Sequence, residues 1–143
     1  MKFDIIVMNP PYQEQKEGFK KTQTLWDKFV IKTIDNLIDG GYLVAVHPSG
    51  WRNVDGKFKV IQNIIKSKEL IYLEVHNTND GLKTFKCHTT YDFYCLKNSN
   101  RRDNFLTTIK CMDGKTEVVD ISEMEFIPNG MFKEIFSLVA KKN

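Results

Sequence analysis

Apolar residues lie along the chain in short runs, separated by polar segments that contain glycine and proline. A nearly continuous apolar run covers residues 3–8, and its length and β-rich content are typical of a strand buried on both faces of a parallel sheet. Pro10 and Pro11 end this strand, because neither has an N–H to donate to a neighbouring strand. The polar, lysine-rich residues 13–23 predict a loop.

After this loop the apolar positions change to a helical period. Thr24 and Asp27 resemble a capping box, so we expect a helix to begin here. Gly40 and Gly41 are expected to end it, because glycine readily takes the left-handed conformation. The predicted apolar side of the helix consists of Leu25, Phe29, Ile34, Leu37 and Ile38, widened by Trp26, Val30 and Ile31.

The rest of the chain continues as a mixed α/β pattern. A second buried strand over residues 42–46 follows the helix, and this order predicts two parallel strands joined by a right-handed crossover. The strand predicted over 89–96 can pair antiparallel with the one before it, and Asp113-Gly114 indicates a hairpin. The further predicted elements are a helix at 58–67, a strand at 70–75, a polar turn at 77–83, hairpin strands at 105–111 and 116–121, and a helix at 130–142 with Ile135, Phe136 and Val139 on its apolar face.

Composition fits one globular domain and excludes several classes of protein. A chain of 143 residues with 41% apolar residues can form one core, and no stretch is long and apolar enough to cross a membrane. Cys87, Cys95 and Cys111 are widely spaced and odd in number, so we expect reduced thiols in a cytoplasmic protein. No cysteine or histidine spacing predicts a metal site.

Basic residues form three clusters within predicted loops. The formal net charge of +3 permits a polyanionic partner without requiring one. Such clusters are usually solvated surface, but all three lie beside the candidate site. Their members are Lys16, Lys20 and Lys21, then Arg52, Lys57 and Lys59, then Lys83 and Lys86.

The motif with evident chemistry is Asn9-Pro10-Pro11-Tyr12, directly after the first predicted strand. Open α/β sheets hold their ligands at the carboxyl ends of the strands, and the two prolines stiffen the loop there. The side-chain carbonyl of Asn9 and the backbone carbonyl of Pro10 can accept the two hydrogens of a planar amine, while Tyr12 offers a ring for stacking. A base in a duplex reaches such a site only after flipping out, at a cost of about a few kcal/mol.

Other residues near the motif are assigned to the core. His47 is expected to be a structural histidine held by hydrogen bonds. Tyr91, Phe93 and Tyr94 are expected to pack within a strand.

The motif and its surroundings resemble the amino-methyltransferases that modify adenine N6 in DNA, including the methylase parts of restriction-modification enzymes. Residues 3–12 (FDIIVMNPPY) are close to that family's catalytic strand and loop, and residues 40–52 (GGYLVAVHPSGWR) follow at the family's spacing. The resemblance covers residues 1–97 well. It implies a partial Rossmann-like methyltransferase sheet of the α/β class, with parallel strands, crossover helices and an antiparallel hairpin.

The resemblance also implies roles for the site residues. Asn9, Pro10, Pro11 and Tyr12 are the catalytic residues, and Asn9 and Pro11 also contact the methyl donor, S-adenosylmethionine. Phe85 matches the aromatic residue of a family hairpin, which packs against the flipped base. From their positions beside the same edge, we expect DNA contacts from Trp51, Arg52, Lys20, Lys21 and Lys86. For the tryptophan, packing in the core is an equal alternative.

A donor-binding half is not recognisable in the sequence. S-adenosylmethionine requires a strand that ends in a glycine-rich turn, whereas this chain opens at the strand that is fourth of seven in the family. We expect residues 1–97 to form the C-terminal, catalytic half of a methyltransferase domain. Residues 98–143 would form a β-hairpin and helix that begin a target-recognition region. A fragment, a separate polypeptide or a permuted order would explain the missing half, and we expect a partner chain or a homodimer and little activity for the chain alone.

Two alternatives remain open. The first alternative is methylation of a base in RNA or of a glutamine amide in a protein. Each of these substrates presents a planar NH2 group that the same motif can bind. The second alternative is a non-catalytic remnant that binds DNA or a partner, which the unrecognisable donor half supports. The lysine-rich residues 13–23 and the pattern at 40–52 favour the DNA enzyme.

Overall fold

A mixed six-stranded sheet forms the body of the chain, and helices pack against it. The structure, a computed structural model, describes residues 1–14, 18, 23–54 and 56–140. The strands are β1 (Phe3–Met8), β2 (Gln13–Glu14), β3 (Gln23–Thr24), β4 (Leu37–Pro48), β5 (Lys68–His76), β6 (Tyr91–Asn100), β7 (Thr107–Lys110) and β8 (Thr116–Val119). The helices are α1 (Trp26–Asp35), α2 (Lys59–Ser67), α3 (Thr78–Phe85) and α4 (Phe132–Ala140), and a 3-10 helix, Ser49–Arg52, follows β4.

The strand order in the large sheet is β1-β4-β6-β5-β7-β8, and β2 pairs with β3 separately. β1 is parallel to β4, with α1 in the connection between them. β6 is antiparallel to both β4 and β5, β7 is parallel to β5, and β8 is antiparallel to β7. These pairings confirm the predicted parallel unit, the antiparallel pairing of the third and fourth long strands, and the hairpin.

β1 is an edge strand, and the prediction that it is buried on both faces is wrong. Phe3, Ile5 and Val7 are 44%, 63% and 73% exposed. Ile6 and Met8, which point the other way, pack against the core. The alternation arises because β1 pairs with β4 on one side and is covered on one face only.

Helix α1 ends earlier than predicted. Its last residue is Asp35, and both glycines lie within β4, where the pairing register with β1 shifts. Gly40 has a φ of +80°, and a Cβ at Gly41 would lie 2.9 Å from the carbonyl oxygen of Asp4. The glycine pair therefore makes an irregular stretch of strand that approaches the backbone of β1 closely.

Two local predictions about helix starts are also wrong. Thr24 and Asp27 form no capping box, since the first turn of α1 has no side-chain cap. Residues 77–83, predicted as a polar turn, mostly belong to helix α3. Their polar side chains act at its beginning instead, because the Asn77 side chain accepts a hydrogen bond from the Asp80 N–H at 2.9 Å.

The core lies between the sheet and helices α1 and α2. The buried side of α1 differs from the predicted stripe, because Phe29 and Ile31 are 40% and 39% exposed. Phe136 and Val139 of the predicted apolar face of α4 are also exposed. The buried apolar residues of α1 and α2 are Trp26, Val30, Ile34, Ile61 and Ile65, and α4 adds Phe132. Within the described ranges, no helix has the length and apolar content needed to span a bilayer.

Candidate active site

The candidate site lies at the edge of the sheet where β1, β4 and β5 end and β6 begins. Pro48 at the end of β4 and His76 at the end of β5 both pair with Tyr91, the first residue of β6. β1 ends at Met8 on the other side of β4. The Asn9–Tyr12 motif therefore emerges at the edge where α/β sheets hold their ligands, as predicted.

The motif loop is fixed at both ends. It leaves β1 directly, and the carbonyl of Tyr12 accepts a hydrogen bond from the Leu25 N–H at 3.2 Å, next to the start of α1. Pro10 is buried, whereas Asn9 and Pro11 are exposed. A stiff, anchored loop thus presents the Asn9 amide at the surface.

Tyr12 contributes an uncharged aromatic side chain to the candidate site. Its hydroxyl is buried and has no hydrogen-bond partner among the described residues. Burial, together with nearby Tyr91 and Cys87, raises the pKa of Tyr12 to about 12. The side chain therefore stays a neutral phenol at physiological pH, as stacking requires.

Phe85 lies next to Tyr12. The two ring centroids are 6.1 Å apart with planes at 69°, and Phe85 also meets Tyr91 edge to face at 4.9 Å. The structure thus places Phe85 beside the motif tyrosine, and its expected role against a flipped base stays a prediction. Phe85 is the last residue of helix α3, so the expectation that it belongs to a hairpin is wrong. The rings are in van der Waals contact, so a planar base fits between them only after they separate.

Helix α3 is packed closely against the chain that follows it. A Cβ on Gly81 would lie 2.1 Å from the Thr89 carbonyl oxygen, so only glycine fits at this position of the helix. After Phe85, Lys86 takes a left-handed conformation with φ 58°. The left-handed residue and the close packing of the helix on the following segment together place Phe85 beside the start of β6.

Trp51 and Arg52 are buried beneath the site and are not available to DNA in this structure. They are 0% and 4% exposed, and both donate to Oδ2 of Asp92 at 2.8 Å. Arg52 also donates to the Ile127 carbonyl at 2.8 Å and to the Asn129 side chain at 3.0 Å. Of the two alternatives for Trp51, the structure supports core packing, and Arg52 braces the later part of the chain.

His47 is a structural residue, as predicted. Its Nδ1 lies 2.9 Å from the Pro48 carbonyl oxygen and its Nε2 lies 2.9 Å from the Tyr94 hydroxyl. A carbonyl only accepts, so Nδ1 carries the hydrogen and Nε2 accepts from the tyrosine. Burial lowers the pKa of His47 to about 4, despite the hydrogen bond to the Pro48 carbonyl, and keeps the ring neutral.

The lysines divide into those near the site and those outside the described residues. Lys86 is exposed directly after Phe85 and stays a candidate for phosphate contact. Lys59, at the start of α2, donates to the side-chain oxygen of the buried Gln62 at 2.8 Å. Lys20 and Lys21 lie outside the described residues.

Sequence reasoning missed two residues at this edge, Asp92 and His76. Asp92 is fully buried, which raises its pKa, while the neighbouring Arg52 guanidinium acts in the opposite direction. In the sequence, Asp92 is the one acidic residue within an apolar predicted strand. Such a carboxylate is expected to be buried and therefore to be held by hydrogen-bond donors, which is how the residue could have been identified. His76 follows an apolar strand in the same way, with carboxylates at positions 74 and 80.

The described residues do not form a complete site for S-adenosylmethionine. Asn9 and Pro11, the two residues expected to contact the donor, are exposed directly after β1. No glycine-rich turn after a strand is present in the described ranges to receive the adenosine, and the side of β1 away from β4 has no neighbouring strand there. The part of the chain that the structure describes also holds no group of side chains arranged for a metal ion.

The comparison with protein families gives one match. The model described as Eco57I restriction-modification methylase matches residues 1–85, which include β1, the Asn9–Tyr12 motif and Phe85. Among the curated proteins, none matches this chain.

Several solved structures share the fold. The M protein of the type I restriction enzyme EcoKI is 18% identical with a TM-score of 0.58, and the match covers 76% of this chain and 25% of that one. A modification subunit of a putative type I restriction enzyme from Vibrio vulnificus is 15% identical with a TM-score of 0.56, covering 99% and 32%. A chain from a study of complex assembly in the type I restriction-modification system is 19% identical with a TM-score of 0.54, covering 76% and 23%. This chain thus spans a quarter to a third of the length of the solved structures it matches.

Proposed function

Because the chain belongs to the Eco57I restriction-modification methylase family, we propose that it supplies the substrate-binding half of an enzyme that methylates adenine N6 in DNA. The observation that supports this most is the position of Asn9–Tyr12. The motif leaves a parallel strand at the ligand-binding edge of the sheet, with Phe85 beside it.

Asn9 and Pro10 would hold the exocyclic amine of the adenine. The Asn9 side-chain oxygen and the Pro10 backbone carbonyl accept one hydrogen each, which turns the nitrogen lone pair out of the base plane and away from both acceptors. The amine then needs no prior deprotonation, so no basic side chain is required at this position. The exposed Asn9 and the buried, rigid Pro10 suit these roles.

Tyr12 and Phe85 would hold the flipped base. Their rings touch each other in this structure, and they would part to receive the base. Stacking of a base on an aromatic ring contributes about 1–3 kcal/mol, which offsets part of the cost of removing it from the duplex. Lys86, together with Lys20 and Lys21, which follow the motif in the sequence, would contact backbone phosphates.

S-adenosylmethionine is the methyl donor of the family, and we propose that most of its site lies outside this chain. Asn9 and Pro11 would contact its methionine end. The exposed face of β1, formed by Phe3, Ile5 and Val7, would be covered by the donor-binding half of a Rossmann-like domain. That half would belong to a second polypeptide or to a longer form of this one.

The direct test is methyl transfer by the chain combined with the product of the adjacent reading frame. With labelled S-adenosylmethionine, we expect label in DNA and little in RNA or in glutamine-containing protein. Label found only in RNA or protein would select that alternative, and no transfer by the assembled proteins would favour a non-catalytic remnant.

Single substitutions then test the assigned roles in the assembled enzyme. We expect Asn9→Ala to lower kcat by about 10²- to 10³-fold, because one of two acceptors for the amine is lost. Tyr12→Ala should lower kcat/KM about tenfold or more through lost stacking. Asn53→Ala, on an exposed residue after the 3-10 helix, is the control and should leave turnover unchanged. Full turnover by both motif variants would contradict the proposal.

A further inference from the structure

A row of aromatic rings connects His76 to the motif tyrosine. His76 stacks on Tyr91 with centroids 4.4 Å apart and planes at 6°. Tyr91 meets Phe85 edge to face at 4.9 Å, and Phe85 meets Tyr12 at 6.1 Å. We propose that His76 is a positioning residue that fixes Phe85 opposite Tyr12 and so sets the width of the base-binding gap. This role rests on the proposed function of the gap.

Both nitrogens of the His76 ring are held by carboxylates. Nε2 lies 2.8 Å from Oε1 of Glu74, and Nδ1 lies 3.1 Å from Oδ2 of Asp80. These two contacts, from a strand residue on one side and a helix residue on the other, hold the ring in its plane.

Charged groups from three strands surround His76. On β5 itself, Glu74 also accepts from the Tyr72 hydroxyl at 2.8 Å, and Lys110 of β7 lies 3.5 Å from Glu74. Partial burial acts to raise the pKa of Glu74, but the Tyr72 hydrogen bond, His76 and Lys110 lower it overall. From β6, the buried Asp92 also faces the ring as a nearby charge, and it is paired with Arg52. The carboxylates thus outnumber the cations around the ring.

His76 acts on Phe85 from two sides. Asp80 belongs to helix α3, whose last residue is Phe85, so its contact with His76 fixes this helix to the end of β5. Tyr91 lies flat against the His76 ring and packs behind Phe85, and its hydroxyl lies 3.3 Å from the Thr84 hydroxyl. A loss of either contact would let Phe85 move relative to Tyr12. A displacement of about 1 Å at such a site is enough to lower turnover about a hundredfold.

The test uses the 143-residue chain and a single-stranded oligonucleotide with one 2-aminopurine, whose fluorescence falls when it stacks. The wild type should quench the probe on binding. His76→Gln should weaken the quenching interaction about tenfold, and His88→Gln, an exposed histidine after α3, should stay within about twofold of wild type. In a Phe85→Ala background, His76→Gln should add less than about twofold, because the residue through which it acts is gone.

Further measurements keep this role falsifiable. If circular dichroism shows His76→Gln unfolded, Asp80→Asn replaces it, with an expected weakening of about threefold. Wild-type quenching by His76→Gln, or full additivity with Phe85→Ala, would overturn the positioning role. Absence of quenching by the wild type would overturn the base site itself, which distinguishes the two failures.

Discussion

Strands β1 and β6 have similarly apolar sequences but opposite surroundings. In β6, Tyr94 and Leu96 are completely buried, because the strand lies between β4 and β5 and these two side chains belong to the core, while the residues that alternate with them are half-buried. In β1, Ile5 and Val7 are mostly exposed, because only β4 lies beside it. An apolar run therefore indicates that a strand is suited to burial, but it does not indicate which residues, of the same chain or of a partner, pack against it.

The largest expected effect on stability comes from a substitution beside the buried strand β6. Arg52→Met should lower the free energy of unfolding by about 3–5 kcal/mol, since it leaves the buried Asp92 without its cation and frees the acceptors on Ile127 and Asn129. Urea denaturation measures this. The control is Arg101→Met, whose pair with Asp120 is longer, at 3.7 Å, and involves side chains that are 22% and 36% exposed; it should cost less than about 1 kcal/mol. Equal losses in the two variants would contradict the buried role of Arg52.

A somewhat smaller effect should appear on acidification. His47 is neutral in the folded chain with a pKa of about 4, whereas its ordinary value is 6.5, so the unfolded state binds more protons between these values. The stability that depends on His47 is thus complete above pH 6.5 and is lost as the pH falls towards about 4, by roughly 3 kcal/mol. Urea midpoints measured from pH 7.5 to 4.5 check this.

His47→Gln serves as the matched control for the acid effect, since an amide does not titrate. The variant should be less stable than wild type at pH 7.5 and should lose less further stability on acidification. A wild-type profile that stays flat across this range would contradict the neutral, buried histidine.

The smallest expected effect on stability comes from a substitution in the exposed edge strand β1. Val7→Thr should change the free energy of unfolding of the chain by less than about 0.5 kcal/mol, because the side chain is 73% exposed. If β1 is covered by a donor-binding half, the same substitution should weaken that association measurably. Sedimentation of the chain with and without its partner compares the two states, and a substantial loss of stability in the chain alone would contradict the edge position.

The sequence allowed the strands and the motif to be predicted because these depend on local patterns. The run over β1 and the Asn9–Tyr12 motif needed no knowledge of distant residues. The roles of Trp51 and Arg52 could not be predicted, because their partners are 40 or more positions away along the chain. Both residues follow the strand that ends at the candidate site, which indicated contact with DNA. In the folded chain both instead bind Asp92, and Arg52 also binds the segment after β8.

The helix predictions failed where tertiary contacts decided the outcome. The glycine pair was expected to end α1, but it is used for the close approach of β4 to the carbonyl of Asp4. Asn77 and Asp80 were interpreted as a turn, although the same residues begin helix α3. That difference matters for the site, because α3 and not a hairpin carries Phe85.

The hydrogen bonds from Arg52 also bear on how relatives of this chain can exchange parts. Arg52 follows the motif-bearing region, while its acceptors at Ile127 and Asn129 lie in the C-terminal third. The acceptor at Ile127 is a backbone carbonyl, which any residue supplies as long as the segment keeps its path, whereas the acceptor at Asn129 is a side chain. A chimera that joins residues 1–97 to the C-terminal part of a different relative therefore keeps the full set of bonds only where that part follows the same path and carries an acceptor at position 129.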